Sequence, residues 1–347
     1  MRKLNLLLGT AFLLSFSVSA QEFEKKSIYI QSLKNQDLAK APKKVYITNF
    51  KIYYQMIAEA EKTVYGGRQF GGGSYTGNAT ARLAVGVEGI GPKDLQALTD
   101  KIYSEYVADL EALGLEVYNA KTKSGIPFYE DYTKLEGPRI NQEQVPGSLM
   151  VIPSGFSYHV KKVTKKGKEK AGGLMGGTPE FVSAMYHKGL PRISRDLDDM
   201  MVVDIALSVP SIYLDPKSQL GSAKIKGGPD LKLSGARASY ASGKSNKPGA
   251  AFPKTAIELL LQKPMKINGV FEAETFKTVA TKSRTTVPDY GAFFTVDNKT
   301  VELSNTIECD PAVYSAKVGN AINMFLGKSL EKFEASLSGE KLKSGKE

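Results

Sequence analysis

The side chains best suited to catalysis are few and lie far apart in the sequence. Histidine occurs only at His159 and His187, and neither has a companion at the spacing of a metal ligand. The segment RDLDDMM supplies Asp196, Asp198 and Asp199, which as paired carboxylates could serve a glycosidase or bind a hard cation such as calcium. The glycine and distal glutamate of a calcium loop are missing, and arginines nearby can pair with the carboxylates, so the pattern favours a solvated turn.

Two further kinds of reactive site receive little support. The order of residues along the chain does not exclude a Ser-His-Asp triad, because the three side chains of a triad meet only in the folded protein. The G-x-S-x-G sequence of a nucleophile elbow is absent, however. Cys309 is the only cysteine, so no disulfide can form within the chain, and its surroundings favour a buried thiol. We therefore expect no catalytic set, no metal site and no cofactor. Whether the protein is an enzyme is left open, with the balance toward a non-enzyme.

The segment GGRQFGGGSYTG, residues 66–77, resembles a phosphate-binding loop but fits neither common motif. In the Walker A frame, Gly73 replaces the lysine that neutralises phosphate charge, and in the dinucleotide frame Thr76 replaces the third glycine. Both motifs require a helix to begin at the loop, whereas the alternating segment Thr80–Gly89 predicts a strand. We therefore predict a flexible loop or hairpin and no bound nucleotide.

A run of lysines is the most distinctive surface feature. Six lysines, relieved by one glutamate, crowd the segment from 161 to 170: Lys161, Lys162, Lys165, Lys166, Lys168 and Lys170. Like charges at this density keep a loop extended. Such a loop can bind anionic headgroups or acidic glycans, at roughly 1 kcal/mol for each basic residue near a charged surface. The alternative is a solvated loop without a partner.

The N-terminal segment predicts export. Arg2 and Lys3 precede an uncharged apolar segment, and Val18-Ser19-Ala20 is the small-residue pattern of a signal-peptidase site. We expect a signal peptide over residues 1–20, cleaved after Ala20, and a periplasmic, outer-membrane-associated or secreted protein. No cysteine follows the site, so a lipid anchor is not expected. The net charge of +11 stays strongly positive without the leader and favours envelope surfaces over nucleic acid as partners.

Periodic patterns predict an α+β fold. The segments 44–55, 80–89, 115–120 and 201–209 read as strands, and alternation in the last of these places Asp204 on the outward side. Apolar stripes predict a helix over 93–114 with Gly114 at its C-terminal cap, and a long helix from the cap Asp310 to residue 337. A short helix is expected over 178–189.

These elements predict a single α+β domain over residues 44–338 with long Gly/Lys-rich loops. Its mixed or antiparallel sheet would carry the packed helix of the N-terminal half and the long C-terminal helix. Residues 21–43 are expected to form a flexible lead-in, and residues 339–347 a disordered tail.

The strand KVYITNF, the helix DLQALTDKIYSEYVADLEALG and the strand LEVYNA follow one another in an exported chain. This order over residues 44–120 resembles the N-terminal layout of CsgG-like curli-secretion proteins and related bacterial envelope assembly factors. The resemblance implies an envelope protein without catalysis. The lipidation cysteine expected in that family is absent here.

The sequence thus favours a non-enzymatic exported envelope protein that binds or scaffolds other envelope components, and a homo-oligomer is compatible with this role. One alternative is a periplasmic or secreted hydrolase acting on a polymer through carboxylates such as Asp196 or Asp199. Another is a binding module for anionic lipid or glycan that uses the lysine run. Its partners would be envelope proteins or an anionic envelope surface.

Overall fold

The computed structural model describes residues 23–68, 75–141, 145–161, 163, 189–219, 222–244, 246–248, 253–281, 292–296 and 299–347. The predicted signal peptide and nearly all of the predicted helix over 178–189 lie outside these residues. Among the helices that the structure describes, none combines the length and the apolar character needed to cross a bilayer.

Strands and helices alternate irregularly along the chain. The strands are β1 (Ile28–Leu33), β2 (Lys44–Gln55), β3 (Ile57–Val64), β4 (Gly67–Arg68), β5 (Tyr75–Thr76), β6 (Ala79–Glu88), β7 (Glu116–Tyr118), β8 (Thr133–Glu136), β9 (Arg139–Asn141), β10 (Ser148–Ile152), β11 (Ser157–Val160), β12 (Met201–Val209), β13 (Ile212–Gln219), β14 (Ser222–Pro229), β15 (Lys232–Ser242), β16 (Thr255–Leu261), β17 (Met265–Lys266), β18 (Phe276–Thr281), β19 (Ala292–Val296), β20 (Lys299–Leu303), β21 (Asn305–Glu308) and β22 (Gly345–Lys346). The helices are α1 (Pro92–Ala112), α2 (Leu190–Asp196) and α3 (Pro311–Leu337), with short 3-10 turns at Asn35–Lys40 and Pro127–Tyr129.

A mixed sheet forms the centre of the fold. Its strands run in the order β22-β1-β16-β15-β12-β2-β10-β9, while β17 pairs with β15 and β7 pairs with β2. The pairs β2–β12 and β2–β7 are parallel, and the other pairs of this sheet are antiparallel. The predicted α+β class with a mixed sheet is therefore confirmed.

Helices α1 and α3 cover one face of the central sheet. Tyr106 of α1 donates a hydrogen bond to Tyr240 of β15 over 3.1 Å, and Phe333 of α3 stacks on the same Tyr240 ring at 4.2 Å. The two predicted stripes are buried here, including Leu95, Ile102, Leu110, Val318, Ile322 and Phe325. The predicted caps are present as well: Asp310 accepts hydrogen bonds from the amides of Ala312 and Val313, and Gly114 has a φ of +75°.

The opposite face of the central sheet is also covered, and this corrects the expectation for β12. Leu190, Ile193 and Leu197 of α2 and its C-terminal turn pack on Val202 of β12 and Ala241 of β15. Almost all of β12 is consequently buried, and Asp204 is only 3% exposed. The prediction that Asp204 faces outward was wrong because alternation identifies one apolar face and cannot tell what covers the other.

Two small sheets extend beyond the central one. One has the order β21-β6-β3 and the other β13-β14-β18, and they pack against each other. Leu83 of β6 meets Gly227 of β14, where a Cβ would lie 3.3 Å from a Leu83 methyl carbon and closer still to Leu214. Strand β6 thus buries the alternating residues that predicted it, among them Ala81, Leu83 and Val85.

Both segments expected to lack order include structured residues. In the lead-in, β1 pairs along its whole length with β16, from Ile28–Leu261 to Leu33–Ala256. In the tail, β22 pairs with β1 at Tyr29–Lys346 and Ile30–Gly345. The flexible lead-in and the disordered tail are therefore corrected for these residues, while the single-domain organisation stays a prediction.

Candidate functional site

Four charged side chains form a buried layer on the face of the central sheet opposite α1 and α3. This charged layer comprises Lys51, Asp204, Arg237 and Glu258, which stand on the neighbouring strands β2, β12, β15 and β16 and are at most 3% exposed. Strand register brings them together: Ala206 pairs with both Lys51 and Arg237. Two cations and two anions leave the layer formally neutral.

Hydrogen bonds inside the layer are short and charge-assisted. The Nη2 of Arg237 donates to Oδ1 of Asp204 over 2.7 Å. The Ser239 hydroxyl donates to Oε2 of Glu258, also over 2.7 Å. Such bonds are stronger than bonds between neutral groups, and burial protects them from screening.

A β-bulge positions a further hydroxyl at the layer. The β2–β12 register passes from Val203–Ile47 to Asp204–Asn49, so Thr48 is the extra residue. Its Oγ1 donates to the Val203 carbonyl at 3.0 Å and lies 3.5 Å from Oδ2 of Asp204. Bulges re-aim side chains in this way. Sequence reasoning missed the layer, although single charges within apolar strands such as VVDIA and AIELLL were a usable signal.

An aromatic cluster borders the charged layer. It consists of Phe128, Tyr129, Tyr132 and His159, and the His159 ring stacks on Tyr129 at 4.1 Å and 12°. Burial, followed by the proximity of Tyr46 and Asp204, raises the pKa of Tyr129 well above its ordinary value. The cluster therefore reaches from the buried carboxylate toward the surface.

The environment of His159 disfavours its charged form. Burial, together with the neighbouring Lys134 ammonium, lowers the pKa of His159 to about 4. Its Nδ1 is buried and finds no hydrogen-bond partner among the described residues. A neutral ring stacked on tyrosine is a weak base at neutral pH and suits packing better than proton transfer.

The structure describes only the first residue of the lysine run. The Lys161 ammonium lies 5.9 Å from the centre of the Tyr132 ring, and Lys161 is exposed. Residues Lys162, Lys165, Lys166, Lys168 and Lys170 lie outside the described residues, as does His187.

Where the chain resumes, it returns to the same cluster. The Arg192 guanidinium lies 5.6 Å from the centre of the Phe128 ring. At Gly189, a Cβ would lie 2.4 Å from a carbon of that ring. The aromatic cluster therefore holds both described ends of the chain that flank residues 164–188.

The predicted carboxylate group has structural roles. Oδ2 of Asp196 accepts a hydrogen bond from the Phe128 amide over 2.8 Å. Asp198 and Asp199 have φ values of 55° and 61° in the turn after α2, which is a conformation that aspartate tolerates better than most residues. The expected turn is confirmed. Within the described part of the chain, no group of three or more His, Cys, Asp or Glu side chains is placed to hold a metal ion.

Cys309 and the glycine-rich segment have structural roles too. The Cys309 thiol donates to the Glu88 carbonyl at 3.3 Å, and burial with nearby Asp310 and Asp94 raises its pKa to about 11. It is half-buried rather than fully buried. Strands β3 and β6 pair antiparallel, and β4 pairs with β5 toward the tip. Of the two predicted alternatives, a flexible loop or a hairpin, the structure has the hairpin on either side of residues 69–74, which are not described.

An open cavity of about 270 Å³ is lined by residues from 229–231 and 266–273, none of which belongs to the charged layer. It is slightly smaller than typical ligand pockets of roughly 300–1,000 Å³. Asp230, on its wall, forms an ion pair with Lys232.

Searches of protein-family models, of curated proteins and of solved structures each found no match to this chain.

Proposed function

We propose that this chain is a non-enzymatic, exported envelope protein that binds or scaffolds other envelope components, in the manner of CsgG-like assembly factors. The observation that supports the proposal is the use made of its reactive side chains. His159 is stacked and desolvated, Asp196 accepts from a backbone amide, Asp204 pairs with Arg237 and Cys309 bonds a carbonyl. Each is engaged in holding the fold, and the sequence of the first twenty residues supports export.

Fractionation of the cells that make the protein tests the proposal. We expect it in the periplasmic or outer-membrane fraction, with Gln21 as its first residue. After mild cross-linking, it should be recovered with other envelope components. A cytosolic protein that retains residues 1–20, or an exported monomer that recovers no envelope component, would contradict the proposal.

A second function, binding to an anionic lipid or glycan surface, is favoured by one observation. Lys161 is exposed at the edge of the aromatic cluster, so the cluster anchors the start of the lysine run at the protein surface. The hydrolase alternative gains no such support, because Asp196 accepts a hydrogen bond from the Phe128 amide and Asp198 and Asp199 lie in the turn after α2.

Vesicle binding separates this second function from a generic effect of positive charge. The six lysines of the run are replaced by serine, and a matched control replaces six other exposed lysines: Lys43, Lys93, Lys101, Lys226, Lys254 and Lys277. Because each lysine near a charged surface contributes up to about 1 kcal/mol, we expect the first variant to bind phosphatidylglycerol vesicles at least ~10-fold more weakly than the control. Equal loss in both variants would contradict a specific role for the run.

A further inference from the structure

The last residues of the sequence cover one edge of the central sheet. Beyond the β22 ladder, the Ile28 amide donates to the Glu347 carbonyl at 3.2 Å, and the Glu347 amide donates to the Ile28 carbonyl at 2.8 Å. At the other end of β1, the Ser344 hydroxyl accepts from the Ser32 amide at 2.9 Å and donates to the Ser32 carbonyl at 3.2 Å. The outward-pointing backbone groups of β1 are therefore satisfied by residues 344–347.

The segment 339–347, called here the tail segment, is tied down by a buried asparagine. Asn35 is fully buried, and its amide nitrogen donates to the Glu340 carbonyl and to the Ser336 hydroxyl, each over 2.8 Å. The Leu342 amide donates in turn to the Asn35 side-chain oxygen at 3.1 Å. The turn that starts the tail segment needs Gly339, which has a φ of +88°.

An ion pair holds the far end of the tail segment. The Lys332 ammonium of α3 lies 2.9 Å from a carboxylate oxygen of Glu347. Glu347 also lies 3.8 Å from the Lys328 ammonium. The tail segment is thus held at both ends and lies along the edge of β1 between them.

Without the tail segment, the β1 edge would match a copy of itself. The pairing of β1 with β16 uses the backbone groups of Tyr29, Gln31 and Leu33, because antiparallel hydrogen bonds alternate along a strand. The groups of Ile28, Ile30 and Ser32 point the other way. In an antiparallel pair of two β1 strands centred on Ile30, Ile28 of one copy faces Ser32 of the other, and every outward group finds a partner.

We propose that the tail segment is a built-in cover for this edge and that its displacement opens β1 to strand pairing with a second copy of the chain. Exposed edge strands pair readily with other chains, and proteins often block them with a covering segment. A second copy is the occupant we propose because β1 has the sequence IYIQSL, which contains no charged residue, so pairing two copies about Ile30 places no like charges opposite each other within the strand. The inference does not depend on the proposed function.

Sedimentation of three proteins tests the inference: the full chain, a chain that stops at Leu342, and the full-length variant Gly345→Pro. Proline cannot donate to Ile30 and should loosen the cover while keeping every other residue. Lys343→Ala is the control, because this exposed lysine makes no side-chain hydrogen bond that the structure records.

We expect both altered chains to show an added dimerisation step over about 1–100 μM that the full chain and the control lack. A synthetic peptide of residues 339–347 should reverse this step. Altered chains that remain folded with the association state of the full chain would overturn the inference. Loss of the β-sheet circular dichroism in both would also overturn it, since the tail segment would then be needed for folding. Dimers that the peptide does not dissociate would show that another surface is responsible.

Discussion

The ion pair between Arg237 and Asp204 permits a sharp test of how the polar face of the central sheet is held. The Arg237 side chain is 1% exposed and the Asp204 side chain 5%, and the contact measures 2.7 Å. Arg237→Met keeps the length of the side chain and removes the charge that pairs with the buried carboxylate. Breaking a buried pair by removing one partner lowers the free energy of unfolding by about 3–5 kcal/mol.

The reciprocal change, Asp204→Val, should cost a similar amount because it leaves the guanidinium without this carboxylate. The double variant removes both charges, and the remaining Lys51 and Glu258 keep the layer formally neutral. Replacement of a buried pair by apolar side chains is often neutral or stabilising, by about 1–4 kcal/mol. The double variant should therefore be more stable than either single variant, with a coupling energy of at least about 3 kcal/mol.

Urea unfolding of the four proteins, followed by far-ultraviolet circular dichroism at neutral pH, measures this cycle. Glu136→Gln is the control, because the Lys121–Glu136 pair has a similar contact of 3.1 Å but side chains that are 53% and 54% exposed. This exposed pair should contribute less than about 1 kcal/mol. Single variants no costlier than the control, or a double variant whose cost is the sum of the two, would refute the reasoning.

Three further predictions concern His159, two glycines and a helix cap. The pKa of His159 is about 4 in the folded protein against an ordinary 6.5, so the stabilisation that the neutral ring contributes is complete above about pH 6.5 and is lost as the pH falls toward 4. The free energy of unfolding of His159→Phe, measured with urea between about pH 7 and pH 5, should therefore fall less than that of the unaltered protein. Gly89 and Gly114 have φ values of +87° and +75°, but of these two only Gly89 lies against other backbone atoms, where a Cβ would be 2.0 Å from the Cys309 carbonyl oxygen. Gly114→Ala should cost about 1–2 kcal/mol for the left-handed conformation alone, and Gly89→Ala should lower the melting temperature clearly more. Asp310→Ala should cost about 1 kcal/mol in urea unfolding and Asp310→Asn much less, because asparagine can still accept from the first-turn amides.

The major helices could be predicted because their signals are local. In α1, apolar residues recur every three or four positions and Gly114 marks the end. In α3, Asp310 and the following proline mark the start. Each of these signals lies within one turn of the residue whose conformation it sets, so no distant contact was needed to interpret it.

Strand β1 and the tail segment could not be predicted in the same way. The tail segment is polar and has no periodic pattern, and its partner β1 lies more than 300 residues earlier in the chain. The tail segment is ordered by backbone hydrogen bonds to the edge of β1 and by hydrogen bonds to the Asn35 side chain. Neither kind of contact requires a particular amino-acid composition in the tail segment. A polar tail that pairs with a sheet therefore resembles a polar tail that does not.

The candidate site likewise has one part that the sequence predicted and one part that it did not. The lysine run from Lys161 is visible in the sequence because charge density needs no fold to be counted. Single charges within apolar strands mark members of the charged layer in the sequence, but the layer itself could not be predicted, because Lys51, Asp204, Arg237 and Glu258 come from four distant segments that only strand register brings side by side.

By itself, the sequence determined the α+β class and the two long helices with their caps. It also predicted a loop or hairpin at the glycine-rich segment, export and a basic surface. These rest on periodicity, turn chemistry and charge, which act over a few residues. The tertiary structure alone decided that Asp204 is buried, that His159 is stacked and that the tail segment covers the edge of β1. Burial and strand pairing depend on which distant segments come into contact, and the local sequence of one segment does not identify the segment that it will contact.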